Sequence, residues 1–203
     1  MKNDLVVHVV DDDAAVRDSI AFLLDTDGLL SRTYESALAL LARGGALEPG
    51  CIVTDVRMPE INGLEMVRRL GAAGITLPVV VITGHADVPL AIEAMHAGVA
   101  DFLEKPFDDD ALLAAVRTAL ARGAEARDQA AHTSEIVSRL ETLSTRERQV
   151  LDGLVAGQAN KVIAYDLDIS PRTVEVYRAN VMTKMQARSL SELVRMSMVA
   201  DRS

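Results

Sequence analysis

The chain has 203 residues, which exceeds one typical domain and predicts two modest domains. It is 49% apolar and 25% charged, with no run near the roughly 18 apolar residues of a membrane helix, so we expect a globular cytoplasmic protein without a membrane partner. One cysteine excludes an internal disulfide, four scattered histidines give no zinc-type cluster, and a net charge of −9 argues against nucleic-acid binding by the chain as a whole.

The charge is distributed unevenly along the chain. Residues 1–122 contain 10 Lys and Arg against 19 Asp and Glu, whereas residues 141–203 contain 9 against 8. Because local patches decide nucleic-acid binding more than the total charge does, the second segment remains a candidate for it.

The first 122 residues alternate short β-branched runs with helical patterns. The runs predict strands at 5–10, 29–34, 51–54, 78–83 and 100–103. The helical patterns cover about 14–27, 36–43, 63–73, 87–97 and 108–121. Gly28, Gly74 and Gly98 lie where three of these helices should stop. Five strand–helix repeats predict an α/β fold, a doubly wound parallel sheet with helices on both faces.

Polar residues occupy the carboxyl ends of the predicted strands, where sheets of this kind bind their ligands. Asp11 and Asp12 follow the first strand and Asp55 follows the third. Their carboxylates suit a divalent cation such as Mg²⁺, which offsets the repulsion between them. Thr83 ends the fourth strand and Lys105 follows the fifth. Together these side chains predict a pocket in which Asp55 carries a phosphoryl group.

Each of these residues also has a simpler interpretation. Asp13, the third aspartate of the run, can cap the first helix instead of binding a ligand. Lys105, which precedes a proline, can be an ordinary surface residue, and Thr83 can be an ordinary strand-end hydroxyl. Their joint placement on consecutive strand ends favours the pocket.

A resemblance to a known family rests on four segments, "VVDDD", "VTDVRMPEINGLEM", "VVVITGHADV" and "DFLEKPF". In order and spacing they match the landmarks of the receiver domain of two-component response regulators. Residues 5–121 are therefore similar to that family. The resemblance implies a flavodoxin-like receiver domain over residues 1–122, with a five-stranded sheet of strand order 2-1-3-4-5.

The resemblance implies a chemical role for the pocket. Asp55 would accept phosphate from a cognate sensor histidine kinase, and Lys105 would contact that phosphate. Mg²⁺ or Mn²⁺ would be held by Asp11, Asp12, Asp55 and the backbone carbonyl of Arg57. The turn after Asp55 fits this role, because Pro59 fixes the chain and Gly63 permits a close backbone approach.

The resemblance also implies a conformational switch formed by Thr83 and Phe102, and a cis bond between Lys105 and Pro106. Phe102 stands where many relatives carry tyrosine. Without the hydroxyl, only the packing of the ring can report the state of the switch.

Residues 123–140 differ in composition from the segments on either side. They are rich in alanine and charge and contain no β-branched run before Ile136, which predicts a helical linker rather than a flexible coil. Plain disorder is the alternative. Gly123 is expected to end the preceding helix.

The remaining residues, 141–203, contain no clear strand and predict an all-α domain of four helices. The helices are expected at about 145–156, 160–167, 171–186 and 190–199. Ser144 and Glu147 form a capping-box pattern, and Ser170–Pro171 opens the third helix. The short link "DIS" before it is typical of a helix-turn-helix.

The third of these helices has two different faces at about 100° per residue. Its apolar stripe, which should face the core, contains Val174, Tyr177, Val181 and Met185. The opposite face, which suits base contacts in a major groove, contains Arg172, Glu175, Val176, Ala179 and Thr183. The flanks, which suit phosphate contacts, contain Lys161, Thr173, Arg178, Lys184 and Arg188. A plain solvent-exposed face is the alternative, but the helix-turn-helix setting favours DNA binding.

The segments "LSTRERQVL" and "NKVIAYDLDISPRTVEVYRANVMTKM" resemble the LuxR-type effector domain, over residues 142–200. The order of domains resembles response regulators of the FixJ type, which act in nitrogen fixation and oxygen response. This resemblance implies a phosphorylation-activated transcriptional activator that binds double-stranded promoter DNA as a homodimer, with RNA polymerase as a further partner. Before phosphorylation, the receiver is expected to mask the effector domain.

Two other functions stay open on the sequence. An aspartyl-nucleophile phosphatase typically needs a second acidic residue two positions after the nucleophile, and Arg57 stands there. A phosphorelay or protein-binding module would show no salt-dependent binding to duplex DNA. We therefore expect a regulator rather than an enzyme, with slow self-hydrolysis of the phosphoryl group.

Overall fold

The computed structural model describes residues 5–84 and 87–200 of the chain. The chain divides into two compact units, Met1–Ala126 and Arg127–Ser203. Among the described residues, none of the helices combines the length and the apolar character that crossing a membrane requires.

The first unit is built on a parallel sheet. Within the described residues its five strands are β1 (Val6–Val10), β2 (Leu30–Tyr34), β3 (Gly50–Asp55), β4 (Val79–Thr83) and β5 (Asp101–Glu104). Their order is β2-β1-β3-β4-β5 and every pairing is parallel, as predicted. Their carboxyl ends therefore lie at one edge of the sheet, which is where the predicted pocket residues follow the strands.

In the part of this unit that the structure describes, five helices follow the strands: α1 (Ala14–Thr26), α2 (Ala37–Leu41), α3 (Gly63–Ala72), α4 (Val88–His96) and α5 (Asp109–Glu141). A short 3₁₀ turn at Gly44–Ala46 follows α2. The Asp13 side chain caps α1 by accepting a hydrogen bond from the Ala15 amide, so the simpler interpretation of this aspartate is confirmed.

The sheet is covered on both faces. Ile52 of β3 packs in one apolar cluster with residues of α2, α3 and α4, whereas Cys51 and Val53 pack in a second cluster with residues of α1 and α5. A strand buried on both faces has a nearly continuous apolar sequence, which explains the run before Asp55. β3 thus fixes the carboxylate at its end by packing on both sides.

The sequence predicts that Gly123 ends the fifth helix. This prediction is wrong, because α5 continues through Gly123 to Glu141. A Cβ atom at position 123 would lie 3.2 Å from the Gly50 carbonyl oxygen and 3.2 Å from the Pro78 ring. Glycine therefore serves a close packing contact inside the helix, at a cost of about 1 kcal/mol in helix propensity that the packing offsets. Residues 123–140, predicted as a helical linker, lie within α5.

The second unit contains the end of α5 and the helices α6 (Thr145–Val155), α7 (Asn160–Asp166), α8 (Pro171–Lys184) and α9 (Leu190–Ala200). The predicted capping box at Ser144 and Glu147 is present, and the side chain of Ser170 caps α8. Ile136 and Leu140 of α5 are buried in the core of this unit, together with residues of α6 to α9. The core of the second unit therefore begins before residue 141, where the sequence places the start of the DNA-binding domain.

Candidate phosphoacceptor site and nucleic-acid interface

Three charged side chains meet at the carboxyl edge of the sheet. Asp11 follows β1, Asp55 ends β3, and both are buried. The ammonium of Lys105, after β5, lies 2.8 Å from Oδ1 of Asp55 and 3.1 Å from Oδ2 of Asp11. One cation thus bridges two buried carboxylates that would otherwise repel each other.

The other oxygens of the two carboxylates accept backbone hydrogen bonds. The Asp13 amide donates to Oδ1 of Asp11 at 2.9 Å, and the Arg57 amide donates to Oδ2 of Asp55 at 2.6 Å. These hydrogen bonds orient both carboxylates before any ligand arrives, which lowers the free-energy cost of binding a ligand.

The protonation of Lys105 follows from two opposing effects. Burial disfavours the charged ammonium, but the hydrogen bonds to Asp55 and Asp11 outweigh it and hold the pKa of Lys105 above its ordinary value. Lys105 therefore carries a full positive charge at neutral pH, directly beside the Asp55 carboxylate. The Lys105–Pro106 peptide is cis, as the resemblance implies.

The turn after Asp55 packs tightly on the strand end. A Cβ atom at position 63 would lie 2.2 Å from the Asp55 carbonyl oxygen, and the Gly63 amide donates to the Val56 carbonyl at 2.9 Å. Glycine is required here because no larger residue leaves room for this approach. The turn thus holds Arg57 next to Asp55.

The fit of a metal ion can be tested on these donors. Among the described residues, no group of three or more His, Cys, Asp and Glu side chains forms a metal-binding cluster, and Asp12 is exposed. Mg²⁺ needs only one or two carboxylates and keeps several waters, so the paired oxygens of Asp11 and Asp55 suit it chemically. The residues present fit a hard cation of this type.

The two predicted switch residues lie on neighbouring strands. Thr83 ends β4 and is fully buried, and its carbonyl accepts a hydrogen bond from the Lys105 amide at 2.7 Å. Phe102 of β5 pairs with Val81 and is half-buried against the apolar cluster that includes α3 and α4. Phe102 therefore lies against the cluster that includes α4, while Thr83 lies at the strand end beside Lys105.

Helix α8 presents the two predicted faces. Its apolar stripe lies in the core of the second unit, with Val174, Val181 and Met185 fully buried and Tyr177 packed against them, as predicted. The predicted base-contact residues are all exposed: Arg172, Glu175, Val176, Ala179 and Thr183. Val176 is 56% exposed, which leaves its apolar side chain available to a partner.

The predicted phosphate-contact residues differ in their surroundings. Lys161 and Arg188 are exposed, while Thr173 and Arg178 are half-buried. Lys184 is exposed as well, but its ammonium lies 2.6 Å from Oε2 of Glu147 and 3.1 Å from the Thr142 carbonyl oxygen. This lysine is engaged within its own domain.

Comparisons with known families match both units. The response regulator receiver domain family matches residues 7–117, and the family of bacterial regulatory proteins of the luxR type matches residues 141–197. The chain belongs to the response regulators. It is a phosphorylation-activated transcriptional regulator with a LuxR-type DNA-binding domain.

Several similar response regulators span nearly the whole chain. The transcriptional regulatory protein FixJ of Azorhizobium caulinodans is 62% identical over 200 residues, covering 98% of this chain and 95% of its own length. FixJ of Rhizobium meliloti is 52% identical over 195 residues and covers 96% of each. Among solved structures, the response regulator StyR is 38% identical, with a TM-score of 0.86 over 96% of this chain and 98% of its own. Full-length FixJ from B. japonicum is 52% identical, with a TM-score of 0.59 over 98% of each chain.

Sequence reasoning missed three residues of this response regulator. Arg17 donates to the Asp11 carbonyl at 2.7 Å, and Arg139 donates to the Met185 carbonyl at the end of α8 at 3.2 Å. The sequence predicts a capping-box role for Glu147 but not its ion pair with Lys184. No local pattern indicates these contacts, because each depends on how separate segments pack together.

Proposed function

We propose that Asp55 is the phosphoacceptor of this regulator. A carboxylate oxygen of Asp55 forms a bond to phosphorus while the bond between phosphorus and the imidazole nitrogen of a sensor histidine kinase breaks, and the imidazole keeps the electron pair. The observation that supports this proposal is that the Lys105 ammonium lies 2.8 Å from Oδ1 of Asp55. Lys105 neutralises charge on the transferring oxygens, and Thr83 supplies a hydroxyl to the phosphoryl group.

Asp11, Asp12, Asp55 and the carbonyl of Arg57 would hold Mg²⁺ or Mn²⁺. The bound ion would supply charge neutralisation for the phosphoryl oxygens. The buried Asp11 and Asp55 pair supports this assignment. We expect the acyl phosphate on Asp55 to be lost by slow self-hydrolysis, and we expect no catalysis on an external substrate.

Phosphorylation adds about −1.5 to −2 charges at the edge of the sheet. Thr83 moves toward the phosphoryl group and Phe102 turns inward, which changes the surface formed by α4, β5 and α5. That surface pairs two receivers into a homodimer and relieves masking of the effector domain. The added charge shifts the equilibrium because it interacts differently with the two states of the domain.

The dimer places two α8 helices on promoter DNA about one helical turn apart. Arg172, Glu175, Val176, Ala179 and Thr183 contact bases, and Lys161, Thr173, Arg178 and Arg188 contact phosphates. The sequence also predicts a phosphate contact for Lys184. The relatives named transcriptional regulatory protein FixJ support a role in transcriptional regulation. We infer that the chain is a cytoplasmic activator of nitrogen-fixation or oxygen-responsive genes, with RNA polymerase as the partner at the promoter.

The proposal is tested with the full chain, a small-molecule phosphodonor and Mg²⁺. We expect dimerisation by light scattering and a gain in DNA affinity, both lost in Asp55→Asn, and a footprint on genomic fragments from the phosphorylated protein. Binding to duplex DNA should weaken as salt rises, which a protein-binding module would not show. If the phosphodonor changes neither the mass in solution nor the DNA affinity, the proposed switch is wrong.

A further inference from the structure

The last turn of α8 is fastened to the junction between α5 and α6 by two cationic side chains. Lys184, the final residue of α8, donates to Oε2 of Glu147 at 2.6 Å and to the Thr142 carbonyl at 3.1 Å. Arg139 of α5 donates to the carbonyl of Met185, the residue that caps α8, at 3.2 Å. Both contacts place positive charge at the carboxyl end of the helix, where the helix dipole favours it.

Glu147 is a buried carboxylate with two tasks. Its side chain accepts a hydrogen bond from the Ser144 amide, which closes the capping box of α6, and it also accepts one from Lys184. The hydrogen bonds from Lys184 and the Ser144 backbone hold the pKa of Glu147 below its ordinary value, so the group is ionised at neutral pH. If Lys184 turned away to reach a DNA phosphate, this carboxylate would lose its only described cationic partner among residues 5–84 and 87–200.

We propose that Glu147 and Lys184 form a positioning pair that sets the placement of the recognition helix, and that Lys184 makes no direct contact with a DNA phosphate. The inference rests on the proposed placement of α8 on DNA, and it replaces the phosphate contact expected of Lys184. The pair acts through α8: it holds the carboxyl end of the helix against the amino end of α6, so that the exposed face meets the groove at a fixed angle.

The salt dependence of binding separates the two roles of Lys184. A residue that neutralises a phosphate contributes about one unit to the slope of log affinity against log salt, whereas a positioning residue contributes none. We therefore expect Lys184→Met to lower the affinity for a mixed-sequence duplex roughly three- to tenfold at every salt concentration, with an unchanged slope. Lys161→Met, the matched control, should reduce the slope by about one.

Glu147→Gln tests the pair from the other side. Glutamine still accepts the Ser144 amide, as a capping box allows, so the variant removes the charge facing Lys184 while keeping the helix start. The positioning role predicts a loss of affinity similar to that of Lys184→Met, and a double variant little weaker than either single one. If Lys184 bound phosphate directly, Glu147→Gln would free its ammonium and binding would hold or strengthen.

Amine labelling of the unmodified protein gives a readout that requires no variant. The chain has four lysines, of which only Lys161 and Lys184 lie in the second unit. Duplex DNA should protect Lys161 from an amine-reactive reagent and leave the reactivity of Lys184, whose side chain is 39% exposed, unchanged. A reduced slope in Lys184→Met, or new protection of Lys184 by DNA, overturns the inference. If Lys161→Met also keeps the wild-type slope and Lys161 gains no protection, the proposed DNA contacts of this domain fail instead.

Discussion

The ammonium of Lys105 lies 2.8 Å from Oδ1 of Asp55, fifty positions earlier in the chain. The two residues come from different strand ends and meet only because β3, β4 and β5 are neighbouring parallel strands. This contact fixes the electrostatics of the candidate phosphoacceptor, since the same ammonium also bridges to Asp11.

Lys105→Met should lower the free energy of unfolding of the receiver by about 1–3 kcal/mol, because two buried carboxylates lose their shared counter-charge. It should also slow the phosphorylation of Asp55 by a small-molecule phosphodonor. Urea unfolding measures the loss of stability. Gels that separate phosphorylated from unphosphorylated protein measure the phosphorylation rate. The matched reference is the double variant with Asp55→Asn, which removes one of the repelling charges and should recover part of the lost stability. Equal stability of Lys105→Met and the wild type would contradict the bridging role.

Two glycines of α3 give a matched pair of substitutions. Gly63→Ala places a methyl group 2.2 Å from the Asp55 carbonyl oxygen, so the turn must move and stability should fall by about 2 kcal/mol or more. Gly71→Ala has no atom within 4 Å of the new methyl group and should be neutral or stabilising by up to about 1 kcal/mol, through helix propensity. Thermal unfolding and phosphorylation rates should separate the two variants. Equal behaviour would show that the close approach at Gly63 carries no constraint.

His8 predicts a pH dependence of receiver stability. Its ring is fully buried, with Nε2 donating to the Glu48 carbonyl at 3.0 Å and Nδ1 accepting from the Tyr34 hydroxyl at 3.1 Å. Burial lowers the pKa of His8, although the Glu48 carbonyl opposes this. The unfolded chain therefore binds the proton more readily, so the stability from neutral His8 is complete above about pH 6.5 and declines as the pH falls below that value.

The measurement for His8 is urea unfolding between about pH 8 and about pH 5.5, compared with His8→Gln. Glutamine keeps a donor and an acceptor but does not titrate in this range, so the variant should lose part of the decline on acidification. Identical pH profiles for the two proteins would assign the decline to other groups.

Glu175 should influence which bases the protein prefers without affecting its fold. Its side chain is exposed on α8, so Glu175→Ala should change stability by less than about 0.5 kcal/mol. A glutamate in a major groove accepts hydrogen bonds from cytosine, and its loss should relax discrimination at one base pair by about 1–3 kcal/mol. Selection of binding sites from random duplexes measures this. Arg195→Ala, at an exposed position of α9, serves as the control and should leave the selected sequence unchanged.

The strand ends could be predicted from the sequence because two general rules suffice. Apolar runs locate the strands, and the parallel order brings their carboxyl ends to one edge, so the sequence alone assigns Asp11, Asp55 and Lys105 to a common pocket. The core stripe of α8 can also be predicted from the sequence, because the buried Val174 and Val181 follow helical periodicity.

The remaining details depend on packing between distant segments. The local sequence predicts that Gly123 ends a helix. In the structure, a side chain at this position would crowd the Gly50 carbonyl and the Pro78 ring. The angular position of Lys184 on its helix predicts a phosphate contact. In the structure, however, its ammonium donates a hydrogen bond to Glu147 on another helix. Angular position on a helix gives the direction of a side chain and does not identify which neighbour it meets.

The passage of α5 through Gly123 to Glu141 has a consequence for how this regulator can be divided. Ile136 and Leu140 belong to the core of the second unit, so the segment before residue 141 is not a spacer that can be exchanged freely. A hybrid regulator that joins this effector to a foreign input domain at residue 141 would discard two core side chains. A junction near Arg127 would retain them.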